Sequence, residues 1–189
     1  MKRSLLSILF IAASLPAFAS VTIGDINYSD SLEKDNAVLK LNGAGLREIF
    51  FVDVYAAGLY LPQITSDAKA VINMPGNKCV RLGLLRDVDA GDFVDALKDG
   101  INDNTTEEER KSLDTELQSL IAVMNLIGDV KKGDIVDFDY TKSRGTSITV
   151  NGQLIGEKIG GEKLYEAVLK IWLGDKAIDN GLKASLLKK

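Results

Sequence analysis

The order of apolar and polar residues predicts strands at both ends of the chain and helices at its centre. Three early stretches are rich in β-branched and aromatic residues and are separated by Gly, Asn and Asp: residues 21–28, 37–46 and 50–61. A short helix is expected over residues 67–73. Residues 78–85 alternate with a period of two, which puts Val80, Leu82 and Leu84 on one face of a strand and Cys79 and Arg81 on the other.

The central part of the chain has the 3.6-residue period of amphipathic helices. Residues 89–101 place Phe93, Val94, Leu97 and Ile101 on one stripe. Thr106 followed by Glu109 is the pattern of a capping box, and it predicts the start of a second helix over residues 106–127. Gly128 follows where that helix should end.

Strands are predicted again over residues 134–140, 145–150 and 153–159. Asn151-Gly152 joins the last two, and both residues tolerate the positive φ of a type I′ hairpin turn. Helices over residues 161–173 and 179–187 complete the chain. The predicted fold class is α+β, a mostly antiparallel sheet with helices covering one face.

The first residues have the pattern of a secretory signal peptide. Lys2 and Arg3 precede an apolar run over residues 5–15, and Ala17 and Ala19 supply small residues at a cleavage site. A membrane anchor is the alternative, but the run is too short to span a bilayer. We expect cleavage after Ala19, a single domain over residues 20–189, and export, most simply into a bacterial periplasm.

Composition restricts the chemistry. The 189 residues include no His and a single Cys, which excludes Ser/His/Asp triads, Cys/His dyads, Cys/His zinc sites and an internal disulfide. We expect Cys79 to be a buried strand thiol rather than a reactive one. The net charge is −4, or −6 without Lys2 and Arg3, and no basic stripe suggests nucleic acid. No metal or cofactor is indicated, and the oligomeric state is not readable.

Two glycine-rich stretches resemble nucleotide-binding motifs only superficially. The segment 43–45 lacks the third glycine of a dinucleotide fingerprint, and no helix is predicted after it. The segment 156–162 has the glycine spacing of a phosphate loop, but Glu162 stands where a lysine is needed. Turns or close backbone approaches explain both stretches better.

Residues 41–61 contain the candidate binding groups. Arg47 and Tyr55 are polar positions among many apolar ones. They share a face if residues 47–55 form one strand, and they can still meet across a hairpin if Arg47 lies in a turn. Arg47 and Tyr55 together can hold a carboxylate beside an apolar surface, because a guanidinium offers a planar fork to an oxyanion. The alternative is structural: Arg47 pairs with Asp53 or Glu48, and Tyr55 packs within the sheet.

Three segments carry a resemblance to a known family: GAGLR followed by YAAGLYL, then LGLLRDVDAGDFVDALKDGI, and finally NGQLIGEKIGGEKLYEAVLKIWLGDKAID. All three are similar to the chalcone isomerase-like family. The resemblance covers nearly all of the chain after residue 19. It implies an open-faced β-sandwich, a large antiparallel sheet layered with helices, with a ligand cleft between the layers.

The resemblance also bears on activity. In plant chalcone isomerases an arginine of the GAG-x-R motif acts with a threonine on the next strand and a later threonine. Arg47 matches the arginine, Tyr55 falls on the strand threonine, and Ile171 or Trp172 falls on the later one. The fatty-acid-binding branch resembles this chain in pairing the arginine with a tyrosine.

The leading hypothesis is therefore an exported, non-catalytic protein that binds a fatty-acid-like carboxylate through Arg47 and Tyr55. The alternatives are an isomerase acting on a chalcone-like phenol, in which Arg47 stabilises an oxyanion, and a structural module with a filled cleft.

Overall fold

A seven-stranded antiparallel sheet dominates the computed structural model, which describes residues 20–188. The predicted signal peptide lies outside the described residues. Strands β3 to β9 neighbour one another in chain order, while β1 and β2 form a separate hairpin. The strands are β1 Ser20–Ile23, β2 Ile26–Ser29, β3 Ser31–Lys34, β4 Ala37–Ile49, β5 Val52–Leu61, β6 Lys78–Leu84, β7 Ile135–Thr141, β8 Gly145–Val150 and β9 Gln153–Gly160.

The helices are inserted between strands or follow the last one. They are α1 Ala68–Ile72, α2 Ala90–Asn104, α3 Glu107–Ser112, α4 Asp114–Ile127, α5 Glu162–Leu173 and α6 Asn180–Leu186. Helix α5 is the most buried of them and packs against α2, while α6 lies on β4. The predicted apolar stripe of α5 is buried along its whole length, which explains why this helix forms the centre of the layer.

The two faces of the sheet have different coverings. Val80, Leu82 and Leu84 of β6 belong to the main core, which lies between the sheet and the helices. On the opposite face the β1–β2 hairpin packs Ile26 and Tyr28 against the sheet. The predicted α+β class, a large antiparallel sheet layered with helices, is confirmed.

The hairpin packs closely because the sheet has glycines beneath it. A Cβ atom on Gly58 would lie 2.5 Å from the ring of Tyr28, and one on Gly83 would lie 2.6 Å from Ile26. Side chains at these two positions would therefore hold the hairpin away from the sheet.

Most local signals are confirmed. Thr106 and Glu109 form the capping box, with hydrogen bonds of 3.1 and 2.8 Å. Asn151 and Gly152 have φ values of 51° and 79°, as a type I′ turn requires. Gly128, at φ 71°, follows α4.

Three expectations about elements are wrong. Residues 21–28 form two strands, because Gly24 at φ 57° opens a turn between β1 and β2. Strand β3 was not expected. The helix predicted over residues 106–127 breaks at Leu113, whose φ of −110° and ψ of 11° end α3 and begin α4 without a loop. Residues 107–112 are all polar, so no apolar period marks the point where α3 ends and α4 begins.

Candidate functional site

Arg47 and Tyr55 face each other across the β4–β5 hairpin. They are direct cross-strand partners, so their side chains project from the same face of the sheet. A turn at Phe50 and Phe51 connects the two strands, so the strand predicted over residues 50–61 begins only at Val52. The structure has a hairpin, but Arg47 lies in strand β4 and not in a turn, and the hairpin brings both predicted site residues together.

Arg47 is held by a residue that sequence reasoning missed. Its Nη1 lies 3.3 Å from Oδ2 of Asp179 and donates to the carbonyl oxygen of Glu48 at 2.6 Å. The two side chains of the pair are 16% and 20% exposed. The alternative prediction, in which Arg47 pairs with the carboxylate of Asp53 or Glu48, is therefore wrong about the partner. Arg47 does form an ion pair, but with Asp179.

Glycines of β4 bring Asp179 to this position. A Cβ atom on Gly43 would lie 2.3 Å from the backbone oxygen of Ser185, and one on Gly45 would lie 2.5 Å from the Ser185 side chain. Helix α6 can therefore lie directly on β4, as expected for a close backbone approach at residues 43–45. Asp179 is the N-cap of this helix, and its Oδ1 accepts a hydrogen bond from the amide of Leu182.

A buried amide fixes the other end of α6. The side chain of Asn42 donates to the carbonyl oxygens of Thr65 and Leu186 and accepts from the amide of Thr65. Asn42 lies at an irregularity in the pairing of β4 with β5. Because both ends of α6 are attached near β4, the orientation of Asp179 towards Arg47 is a property of the fold.

Tyr55 is buried, and its hydroxyl proton is available to donate a hydrogen bond. Its hydroxyl oxygen accepts a bond of 3.0 Å from the indole nitrogen of Trp172. Among residues 20–188, no acceptor is paired with the hydroxyl proton itself. Burial raises the pKa of Tyr55 to about 12, although the Trp172 hydrogen bond and the charge of Arg47 each act to lower this pKa. Tyr55 is thus a neutral phenol that can donate a hydrogen bond at physiological pH.

Arg47 and Tyr55 line a cleft of about 230 Å³ between the sheet and the start of α2. Its apolar walls include Val54, Leu84, Phe93 and Ile178, and its polar rim contains Arg86, Asp87, Asp89 and Asp92. A cavity of about 40 Å³ adjoins it and shares Tyr55, Phe93, Ala96 and Ile178. This inner cavity extends to Trp172 and Ile171.

A larger groove of about 750 Å³ lies between α2, α3 and α4 and contains neither Arg47 nor Tyr55. Its cations are Lys98 and Lys111, which pair with Asp95 and Glu107, and Arg110, which donates to the backbone oxygens of Asn102 and Thr105. These cations have partners, as Arg47 does, but no tyrosine of the described chain lines the groove beside them. The smaller cleft is therefore the one in which a guanidinium and a phenol can bind the same carboxylate.

A buried ionic cluster lies on the opposite face of the sheet. Arg81 makes two hydrogen bonds to Asp137, and Lys34 pairs with both Asp137 and Asp139 at 2.7 and 2.8 Å. Burial alone would raise the pKa of Asp137, but its bonds to Arg81 and the nearby charges lower it.

Cys79 belongs to the same cluster. Its sulfur and the carboxylates of Asp137 and Asp139 lie within 4.8 Å of one another, the spacing of a possible metal site. Lys34 and Arg81 already neutralise these carboxylates, so a cation would have to displace them. Burial raises the pKa of the Cys79 thiol, and its prediction as a buried strand thiol is confirmed.

Within the described part of the chain, no helix has both the length and the apolar character needed to cross a bilayer.

Comparison with known proteins identifies the family. The chalcone isomerase-like family model matches residues 20–188. This chain belongs to the chalcone isomerase-like family. A sequence search of curated proteins finds no match to this chain. Among solved structures, a fatty-acid binding protein of Arabidopsis thaliana has the same fold, with a TM-score of 0.69 and 15% identity over 89% of this chain and 96% of that one.

The sequence predicted Arg47 and Tyr55 as site residues of this chalcone isomerase-like fold. It did not indicate that Asp179 pairs with Arg47, that the indole of Trp172 donates to Tyr55, or that α2 forms a wall of the cleft. Asp179 was identifiable as a helix cap, but nothing in the sequence indicates that this cap reaches Arg47.

Proposed function

We propose that this protein binds an apolar carboxylate, such as a medium-chain fatty acid, in the cleft beside Arg47 and Tyr55. The observation that carries the proposal is the pairing of these residues across the β4–β5 hairpin at the edge of an apolar cleft. A carboxylate there would receive two kinds of hydrogen bond, a charge-assisted one from Arg47 and a neutral one from Tyr55.

Arg47 supplies the charge. Its guanidinium is mostly buried and already pairs with Asp179, so a ligand carboxylate would bind beside Asp179 or replace it. The Nη1 to Oδ2 distance of 3.3 Å is long for a charge-assisted hydrogen bond, so Asp179 does not use the full hydrogen-bonding capacity of Arg47.

Tyr55 supplies the second bond. Its phenol is neutral at physiological pH, and its proton has no acceptor among the described residues, whereas its oxygen is oriented by Trp172. A neutral phenol is a suitable hydrogen-bond donor. It is a poor general base, because a pKa of about 12 keeps the phenolate scarce.

The cleft sets the size and polarity of the ligand. Its volume of about 230 Å³ is below the range of about 300–1,000 Å³ that is usual for drug-sized ligands. Together with the apolar walls, this favours a medium-length acyl chain over a long one. The fatty-acid binding protein of the same fold supports the choice of ligand class.

The proposal includes export to the periplasm, which rests on the signal-peptide pattern of residues 1–19. The mass of the protein recovered after expression of the full chain tests it. Removal of residues 1–19 supports export, whereas an intact chain confined to the cytoplasm contradicts it.

Binding is tested with decanoate and its uncharged methyl ester. Arg47→Leu should weaken decanoate binding by at least about tenfold and ester binding much less, because the ester can accept a hydrogen bond but has no charge to pair with the guanidinium. Arg86→Leu is the matched control, since Arg86 lines the same cleft but is exposed. Equal effects of the two substitutions, or equal binding of acid and ester by the native protein, would contradict the proposal.

The isomerase alternative has its own test. Turnover of a chalcone well above the uncatalysed rate, lost in Arg47→Leu, would establish it, and a flat progress curve would reject it. The high pKa of Tyr55 and the apolar residues Ile171 and Trp172 in the inner cavity favour binding over this reaction.

A further inference from the structure

The tip of the β4–β5 hairpin exposes an unusual amount of apolar surface. Phe50 and Phe51 form the turn and are 92% and 99% exposed, and the flanking Ile49 and Val52 are 44% and 48% exposed. These four uncharged residues are consecutive in the chain. Isolated exposed apolar residues are common, but four together at a protruding turn indicate a contact surface.

The conformation of this tip is locally unfavourable. Phe50 and Phe51 have φ values of 48° and 65°, a left-handed region that bulky side chains rarely adopt. Asn-Gly is the usual solution for such a turn, and this chain uses it at Asn151-Gly152. Folding therefore does not explain the two phenylalanines, and strain maintained at an exposed site suggests a function.

The strand residues next to the tip carry two negative charges. Glu48 and Asp53 are exposed and directly opposed across the two strands, an arrangement that is destabilising by itself. Behind the apolar tip there is thus a pair of negative charges, which complements a partner that presents cations beside an apolar interior.

The tip adjoins the proposed ligand cleft. Ile49 is part of the exposed tip and also lines the cleft, and Arg47 is only two residues further along β4. Whatever surface the tip contacts is therefore brought to the mouth of the cleft.

We propose that the Phe50-Phe51 tip docks onto the surface of a zwitterionic lipid bilayer, with Glu48 and Asp53 facing the headgroup ammonium ions. Delivery of an acyl carboxylate between the bilayer and the cleft rests on the proposed function, whereas docking itself does not. The negative net charge of the chain makes an anionic bilayer the poorer partner.

A bilayer suits the tip better than a second copy of this chain does. Two phenylalanines bury at most about 500 Å². A stable dimer needs about 800 Å² from each partner. Insertion of aromatic side chains into a lipid interface needs no complementary shape, and two such residues give weak, reversible binding.

The experiment measures partition of the processed protein onto phosphatidylcholine vesicles by flotation, without added fatty acid. The test variant is Phe50→Asn with Phe51→Gly. It removes both phenylalanines of the tip but introduces the residues that the turn favours, so it should melt at a higher temperature than the native protein. Its partition coefficient should fall by at least about tenfold.

The matched control is Leu126→Gln, which removes an exposed apolar residue of α4 and should leave partition unchanged. Addition of phosphatidylglycerol should weaken binding of the native protein. Unchanged partition in the tip variant, failure of the native protein to bind neutral vesicles, or stronger binding to anionic vesicles would overturn the proposal. So would a native dimer that the tip variant converts to a monomer.

Two further measurements separate this proposal from the proposed function. The tip variant should bind dissolved decanoate as the native protein does, and Arg47→Leu should still bind vesicles. Loss of vesicle binding with intact decanoate binding confirms the docking role of the tip. Vesicle binding by a protein that fails to bind decanoate supports docking and rejects the carboxylate site.

Discussion

Asp179→Asn should strengthen carboxylate binding, because Asp179 competes with the ligand for Arg47. The substitution removes the negative charge that lies 3.3 Å from Nη1 of Arg47. It retains the helix cap, since Asn caps α6 about as well as Asp does. The fold and the position of α6 should therefore change little.

The expected gain follows from the distance between the charges. A ligand carboxylate on Arg47 would lie about 5 Å from the carboxylate of Asp179. Between an effective dielectric of about 20, typical of pairs near a protein surface, and about 80, that of bulk water, their repulsion is roughly 1–3 kcal/mol. That corresponds to about a five- to 150-fold tighter complex with Asp179→Asn.

Fluorescence of Trp172 is a suitable assay. It is the only tryptophan in the chain, and its indole donates to Tyr55 at the inner end of the cleft. Decanoate and its methyl ester are titrated into the native protein, Asp179→Asn and Asp92→Asn. Asp92 lines the same cleft but is exposed, so its substitution should change the affinity much less.

Affinity for decanoate that is unchanged or weaker in Asp179→Asn would refute the reasoning. An equal gain for the ester would refute it too, because the ester has no charge to be repelled.

Three other predictions concern packing, pH and ligand length. Gly43→Ala should destabilise the fold by about 2 kcal/mol in denaturant unfolding, because its Cβ would meet the backbone of Ser185 at 2.3 Å. The stabilising contribution of Tyr55 should be complete below about pH 10. It should be lost as the pH rises through its folded pKa of about 12, so the stability difference between the native protein and Tyr55→Phe should narrow there. Phe93→Ala should join the two cavities that it lines and shift preference from decanoate towards longer acids.

The controls for these predictions are specific. Gly91→Ala, a helix position with open space around it, should be neutral or slightly stabilising, and equal losses at both glycines would contradict the close approach of α6. A stability difference that stays constant to pH 12 would contradict the role of burial at Tyr55. An unchanged chain-length preference in Phe93→Ala would show that the inner cavity does not receive the ligand.

Local signals in the sequence predicted the parts of the fold that depend on neighbouring residues. The turn at Asn151-Gly152 depends on two residues that tolerate positive φ, and the capping box depends on Thr106 and Glu109. The proximity of Arg47 and Tyr55 was also predictable, because a hairpin joins residues that are close in the chain.

Long-range packing set the rest. Asp179 reaches Arg47 across 132 positions of the chain, and it does so because glycines of β4 admit α6. Trp172 meets Tyr55 through the packing of α5 on the sheet. The turn at Phe50 and Phe51 went unpredicted because no local rule favours phenylalanine there. Each of these contacts depends on tertiary structure that periodicity does not encode.

A crystal structure of the protein with decanoate would test the binding site most directly. We predict a carboxylate oxygen within about 3 Å of both the Arg47 guanidinium and the Tyr55 hydroxyl. The acyl chain should pass Phe93 towards Trp172. Decanoate bound only in the groove between α2, α3 and α4, or a carboxylate pointing away from Arg47 with its chain in solvent, would contradict the account.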